Sequence, residues 1–244
     1  MRKNGVLISM PMRDSKRYRF PIPNKIWDHK LKPITFMIFS YLCYRHSNHP
    51  ADMISPDDIA RGLHVTVSTA KKYLSVLINT GLVSADWSLT SNLQCNRNEK
   101  FFTLPNEIFL LKLTPSAFMV YAYLLLIEDR KTHTCHPSYN TISTATGMSK
   151  NTALKSIIVL LEAGLITVEP SSYFDKHGMK WKGNNLYTVL PTQVAMDQFH
   201  PWQLDQLELD AERRRVRKRQ ERCDRRHSKV ALCTPVTPGQ APTA

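Results

Sequence analysis

Phe20-Pro21-Ile22-Pro23-Asn24-Lys25-Ile26-Trp27 returns as Phe102-Thr103-Leu104-Pro105-Asn106-Glu107-Ile108-Phe109, a shift of 102 − 20 = 82 residues. The register holds through Lys30-Leu31-Lys32-Pro33 and Lys112-Leu113-Thr114-Pro115, then through Phe36-Met37 and Phe118-Met119. After one inserted residue Ser55 matches Ser138, a shift of 138 − 55 = 83, and Thr69-Ala70 and Gly81-Leu82-Val83 match Thr152-Ala153 and Gly164-Leu165-Ile166. Matches that keep register across two halves of a chain mark a duplicated module.

Each copy reads as the same series of elements. Pro33 and Pro115 suit a first helical turn, and Phe36, Phe39, Leu42 and Cys43, or Phe118, Tyr121, Leu124 and Leu125, follow at helical spacing as a buried stripe. Ser55-Pro56-Asp57-Asp58 carries a hydroxyl cap, a proline and acidic residues, which predicts a helix from Pro56 to about Arg61, broken at Gly62. Ser138 predicts the equivalent helix over Tyr139 to Ala145, with Gly147 in the turn. Thr66 and Ser149 cap a third helix, whose inner face carries Ala70, Leu74, Leu77 and Ile78 or Ala153, Ile157, Leu160 and Leu161; Gly81 and Gly164 end it.

Beyond each glycine an extended stretch predicts a hairpin: Leu82 to Trp87 returning as Lys100 to Leu104, and Leu165 to Val168 returning as Asn185 to Val189. Asp175-Lys176-His177-Gly178 marks the second tip. The expected fold class is mainly α with small β-hairpin wings. It comprises a basic arm (1–19), two tandem winged-helix domains (20–101 and 102–191), an amphipathic-to-basic helical extension (192–233) and a disordered tail (234–244).

Composition narrows the function. Thirty-three Lys+Arg face 20 Asp+Glu, a formal charge of +13. Residues 1–20 carry +5 and residues 211–230 carry +7, so +1 remains for the rest. No run approaches the roughly 18 apolar residues of a membrane helix. The N-terminus lacks a secretory apolar region, and five unpaired-looking cysteines fit reduced thiols, so a cytoplasmic protein without membrane contact is expected.

The stretch from His136-Pro137-Ser138-Tyr139-Asn140-Thr141-Ile142 through Gly147-Met148-Ser149-Lys150-Asn151-Thr152 to Leu160-Leu161-Glu162-Ala163-Gly164-Leu165-Ile166 resembles bacterial winged helix-turn-helix proteins. These are proteins of mobile elements, of phage and plasmid replication modules, and regulators of the MarR type. The resemblance covers roughly Phe20 to Pro191 and is closer in the second copy. It implies binding to double-stranded DNA, at a promoter or at a replication origin. The first copy departs at its turn, with His64 and Val65 in place of Gly147 and Met148. It therefore either reads DNA or only supports the fold.

In a helix-turn-helix the second helix enters the major groove, the only groove wide enough for it and the one with a full donor and acceptor code. The residues opposite the core stripe are Lys150, Asn151, Thr152 and Lys155 in copy two, and Val67, Ser68, Thr69, Lys71 and Lys72 in copy one. Neither helix has an acidic residue from its cap to Leu161 or Leu77. Lys176, Lys180 and Lys182 make the second wing a basic loop suited to phosphates. Trp87, Trp181 and Tyr187 read as packing residues, since duplex recognition needs no unstacked bases.

After Pro191, Val194, Phe199, Trp202, Leu204 and Leu207 lead into Arg213, Arg214, Arg215, Arg217, Lys218 and Arg219. The apolar part, 194–210, suits packing on the modules or self-association, and the basic part suits phosphate. His133, Cys135 and His136 lie close in sequence without a second Cys/His pair at finger-like spacing, so neither metal nor cofactor is expected. No phosphate loop, nucleophile elbow or carboxylate cluster marks an enzyme. The expected functions are a sequence-specific transcriptional regulator, a replication initiator of a plasmid, phage or integrative element, or a winged-helix adaptor for proteins.

Overall fold

The computed structural model describes residues 18–49, 54–84, 89, 100–174, 179–199, 213, 216 and 220. Strand β1 (Arg19–Pro23) leads through a 3-10 turn into α1 (Pro33–Asn48), α2 (Pro56–Leu63) and α3 (Val67–Asn79). Strand β2 (Phe101–Pro105) leads in the same order into α4 (Pro115–Ile127), α5 (Tyr139–Thr146) and α6 (Lys150–Glu162), with β3 (Thr134–Cys135) between α4 and α5. Then come β4 (Ile166–Glu169), β5 (Ser172–Phe174), β6 (Lys180–Lys182) and β7 (Leu186–Val189). The chain is mostly helical, with three small antiparallel sheets among the described residues.

The helix starts follow from side chains that replace missing backbone partners. Ser55, Thr66, Thr114, Ser138 and Ser149 each accept a hydrogen bond from the backbone N–H three residues on. At α2 the exchange is reciprocal: Asp58 also accepts from the Ser55 backbone N–H at 3.0 Å. The Ser55 hydroxyl and backbone, with the Arg61 guanidinium 2.6 Å away, hold the Asp58 carboxyl below its ordinary value of 3.8. A lowered folded pKa gives stability that is fully present above that ordinary value and is lost as pH falls through the folded one. Asp58→Asn is therefore expected to flatten the acid limb of a stability–pH profile measured by urea unfolding; an unchanged limb would exclude this contribution.

Gly62 lies inside α2 rather than breaking it, and its lack of a side chain makes room for the Tyr41 ring, which a Cβ would strike. The left-handed turn falls to His64 at φ 54°, the counterpart of Gly147 at φ 66°. Gly81 and Gly164, at φ 71° and 68°, follow the ends of α3 and α6 as the sequence predicts.

The expected stripe on the first helix of each copy understates its burial. Thr35 to Cys43 of α1 and Ala117 to Leu125 of α4 are buried on every side. Such helices are central ones: α1 packs on α3, β1 and α4, and α4 packs on α5, α6 and α1. The two hydrophobic helices thus share a core.

The expected pairing of the first hairpin is not seen among the described residues. Phe101–Pro105 pairs antiparallel with Arg19–Pro23, and Val83 makes an isolated bridge to Leu89. In this pairing Phe20, Ile22, Phe102 and Leu104 all become buried, and Arg19 donates to the Thr103 side chain and carbonyl at 2.9 and 2.6 Å. The pairing puts these four side chains on one shared buried face. The rest of the first wing lies outside the described residues, as do residues 1–17, Cys95 and Trp87.

The second hairpin forms as expected, β4 pairing with β7, and β5 with β6 extends it toward the tip. A strand missing from the sequence expectation, β3, adds to the other edge of β7. Tyr187 is fully buried in this sheet, in keeping with its reading as a packing residue. Residues 115–189 thereby combine three helices with a three-stranded sheet, in the element order of a winged helix.

Residues 1–198 form one compact unit and residues 199–244 a second. At the end of the first, 192–198 is helical and buries Thr192, Ala195 and Met196 rather than Val194. A Cβ on Gly164 would strike the Gln198 side chain, so this segment seats against the end of α6. In the second unit Phe199, Arg213, Val216 and Gln220 are helical.

Candidate nucleic-acid interface

Helices α5 and α6 meet across residues 147–149. Gly147 takes the left-handed conformation there, with nothing within 4 Å of a would-be Cβ, so backbone freedom alone explains the glycine. The Ser143 hydroxyl donates to the Met148 carbonyl at 2.6 Å and pins the turn to α5. Ser149 then caps α6, accepting from the Thr152 N–H at 3.1 Å. Asn185, between β6 and β7, donates to the Tyr139 hydroxyl at 2.9 Å and ties the wing to the start of α5.

Inward, α6 buries Ala153, Ser156, Ile157 and Leu160. Outward, Lys150, Asn151 and Lys155 of its first two turns are exposed. Thr152 is only half-exposed, and its hydroxyl pairs with the Ser149 hydroxyl at 2.8 Å, so it serves the cap. Leu161 does not belong to the inner face as expected: it is 47% exposed, one turn beyond the exposed Ile158, at the margin of the buried face. Leu154 and Ile158 are also exposed, at 40% and 45%. Leu154 lies one turn beyond Lys150 and Asn151, so the outward face is basic and amide-bearing first and apolar after. Residue type alone does not single out Leu154 as a contact; helical spacing from Asn151 does.

The first copy is built alike. α3 buries Ala70, Leu74 and Leu77 and exposes Ser68, Lys71 and Lys72, with Val67 and Thr69 half-exposed. Thr69 again pairs with its cap, Thr66, at 2.8 Å. No acidic residue stands on α3, and on α6 the first is the final Glu162.

Of the wing lysines, Lys180 and Lys182 fall on β6, and Lys176 lies outside the described residues. In the basic segment Arg213 is exposed and helical, while Arg214, Arg215, Arg217, Lys218 and Arg219 lie outside. His133 sits in a left-handed turn with Nδ1 3.6 Å from a Glu128 carboxylate oxygen. Cys135 is buried in β3, and burial, with Glu128 nearby, pushes its thiol up to about 12. That suits an inert packing thiol rather than a thiolate ligand. Among the described residues no three His, Cys, Asp or Glu side chains are grouped to hold a metal, and no helix is long and apolar enough to cross a membrane.

Residues 111–166 match a helix-turn-helix domain. The matched helix-turn-helix segment contains α4, α5, their turn and α6. Among solved structures, a possible transcriptional regulator from Methanosarcina mazei Go1 aligns at 16% identity over 45% of this chain and 88% of its own, with a TM-score of 0.30. No curated protein matches the chain.

Proposed function

We propose that this chain is a non-enzymatic, cytoplasmic protein that binds double-stranded DNA sequence-specifically through two tandem winged-helix modules and acts as a transcriptional regulator. The observation that carries the reading is the outward face of α6. Lys150, Asn151 and Lys155 project from the first two turns of a capped helix, held against α5 by a short turn and free of acidic side chains until Glu162. Asparagine can bond an adenine edge at two atoms, and lysine can reach a guanine or a phosphate. The basic arms supply contacts blind to sequence. The duplicated module and the MarR-like character belong to the same proposal.

Fluorescence titration of the purified protein with duplex DNA tests it. Affinity is expected to fall steeply with salt, and deletion of 213–219 to weaken cognate and random duplexes about equally while flattening the salt slope. Footprints at promoters support regulation, whereas footprints at repeated origin sequences turn the reading to replication initiation. A protein adaptor is favoured by the exposed row Leu154, Ile158 and Leu161. Duplex binding that is absent or insensitive to salt would select the adaptor.

A further inference from the structure

The two copies meet about a local two-fold axis. In the β1–β2 ladder Pro21 pairs with its own counterpart Thr103, Phe20 pairs with Leu104, and Ile22 pairs with Phe102. Any antiparallel ladder has local two-fold axes. Nothing in strand pairing requires one to fall on the equivalent pair, or the same exchange to govern other elements. Both hold here. Trp27 meets Tyr123 edge-on at 5.6 Å and 70°, and their counterparts Phe109 and Tyr41 meet edge-on at 5.2 Å and 87°. Trp27 meets Phe102 at 6.3 Å and 36°, and Phe109 meets Phe20 at 5.8 Å and 23°. Phe36 meets its own counterpart Phe118 at 6.1 Å. Contacts in which i meets j and j meets i define an isologous interface, here inside one chain.

Each copy then builds the same helices on its side of the axis. α3 packs on α1 and α2 as α6 packs on α4 and α5, from the equivalent caps Thr66 and Ser149 and the equivalent left-handed turn residues His64 and Gly147. The operation that carries α1 onto α4 therefore carries α3 onto α6, and it is a half-turn, not a translation. Two reading helices related by a half-turn meet the same sequence on opposite strands of a duplex. Helices related by translation would instead need a direct repeat.

Resting on the DNA-binding reading above, we propose that a single copy of this chain recognises an inverted repeat with two unlike half-sites. The helices differ where they face outward. Val67, Ser68 and Lys71 stand where α6 has Lys150, Asn151 and Leu154, whereas Lys72 and Lys155 correspond. Asn151 and Leu154 suit an adenine edge and a thymine methyl, Lys150 and Lys71 suit guanine, and Val67 suits a thymine methyl, at different places along the two helices. The two half-sites are accordingly unlike.

Selection from random duplex DNA with the purified full chain tests this, run beside the variant Val67→Lys/Ser68→Asn/Lys71→Leu, which copies the α6 face onto α3. The wild-type chain is expected to enrich an inverted repeat with unlike halves. The variant is expected to enrich a near-perfect palindrome and to bind it roughly tenfold more tightly than the wild-type sequence, the usual scale for one mismatched base pair. The reverse exchange, Lys150→Val/Asn151→Ser/Leu154→Lys, gives a second route to a palindrome should the first variant not fold. An enriched direct repeat, a single half-site, or a motif unmoved by either exchange overturns the two-fold proposal. No enrichment at all from the wild-type chain overturns the DNA-binding reading itself, and the inverted repeat with it.

Discussion

Phe36→Ala is expected to destabilise the helices of both copies together, by about 3–5 kcal/mol, the range for removing a buried aromatic ring from a core that cannot collapse around the cavity. Phe36 is 1% exposed, its ring lies 5.0 Å from Trp27, and it meets its counterpart Phe118 where the two-fold axis passes. The cavity would be walled by α1 and α4, both buried all round and held on their far sides by α3 and α6. Neither helix can move in without breaking contacts behind it. For a chain of this length each kcal/mol lowers the midpoint by about 2–4 °C, so a fall of roughly 10 °C is expected. Calorimetry should find one transition shifted as a whole. Two transitions, with only the first copy's displaced, would show that each copy keeps its own core.

The second large effect concerns binding. Lys150→Ala with Asn151→Ala is expected to leave the unfolding midpoint nearly unchanged, because both side chains are exposed and neither makes the cap. Discrimination between selected and random duplex should nonetheless fall by roughly tenfold or more, since a well-placed base contact contributes about 1–3 kcal/mol. Random-duplex affinity should fall less, through the loss of one positive charge. Competition titrations at fixed salt separate the two. Discrimination that survives the double substitution would remove α6 as the reading helix.

Local features of the candidate interface are legible in the sequence alone. Ser55, Thr66, Ser138 and Ser149 cap the helices that the sequence predicts for them, and Gly81, Gly147 and Gly164 take left-handed conformations at the expected chain turns. These depend on residues within one turn of each other. Two local expectations fail for tertiary reasons. Gly62 looks like a helix breaker, but the Tyr41 ring needs the space of its missing side chain. Leu161 looks like core, but it is left about half exposed on α6.

The first wing shows the same limit at larger scale. Strand propensity at 101–105 is readable from the residues; its pairing with 19–23 is not, because that contact spans about 80 residues of chain and rests on the shared burial of Phe20, Ile22, Phe102 and Leu104. By itself the sequence showed residues recurring in register across two stretches, where the helices begin and turn, and that Lys150, Asn151 and Lys155 face outward. The tertiary structure alone decided that the copies meet through equivalent surfaces about a two-fold axis. A repeat in sequence is a translation along the chain and carries no orientation; the half-turn arises only when strands pair antiparallel and Phe36 packs against Phe118.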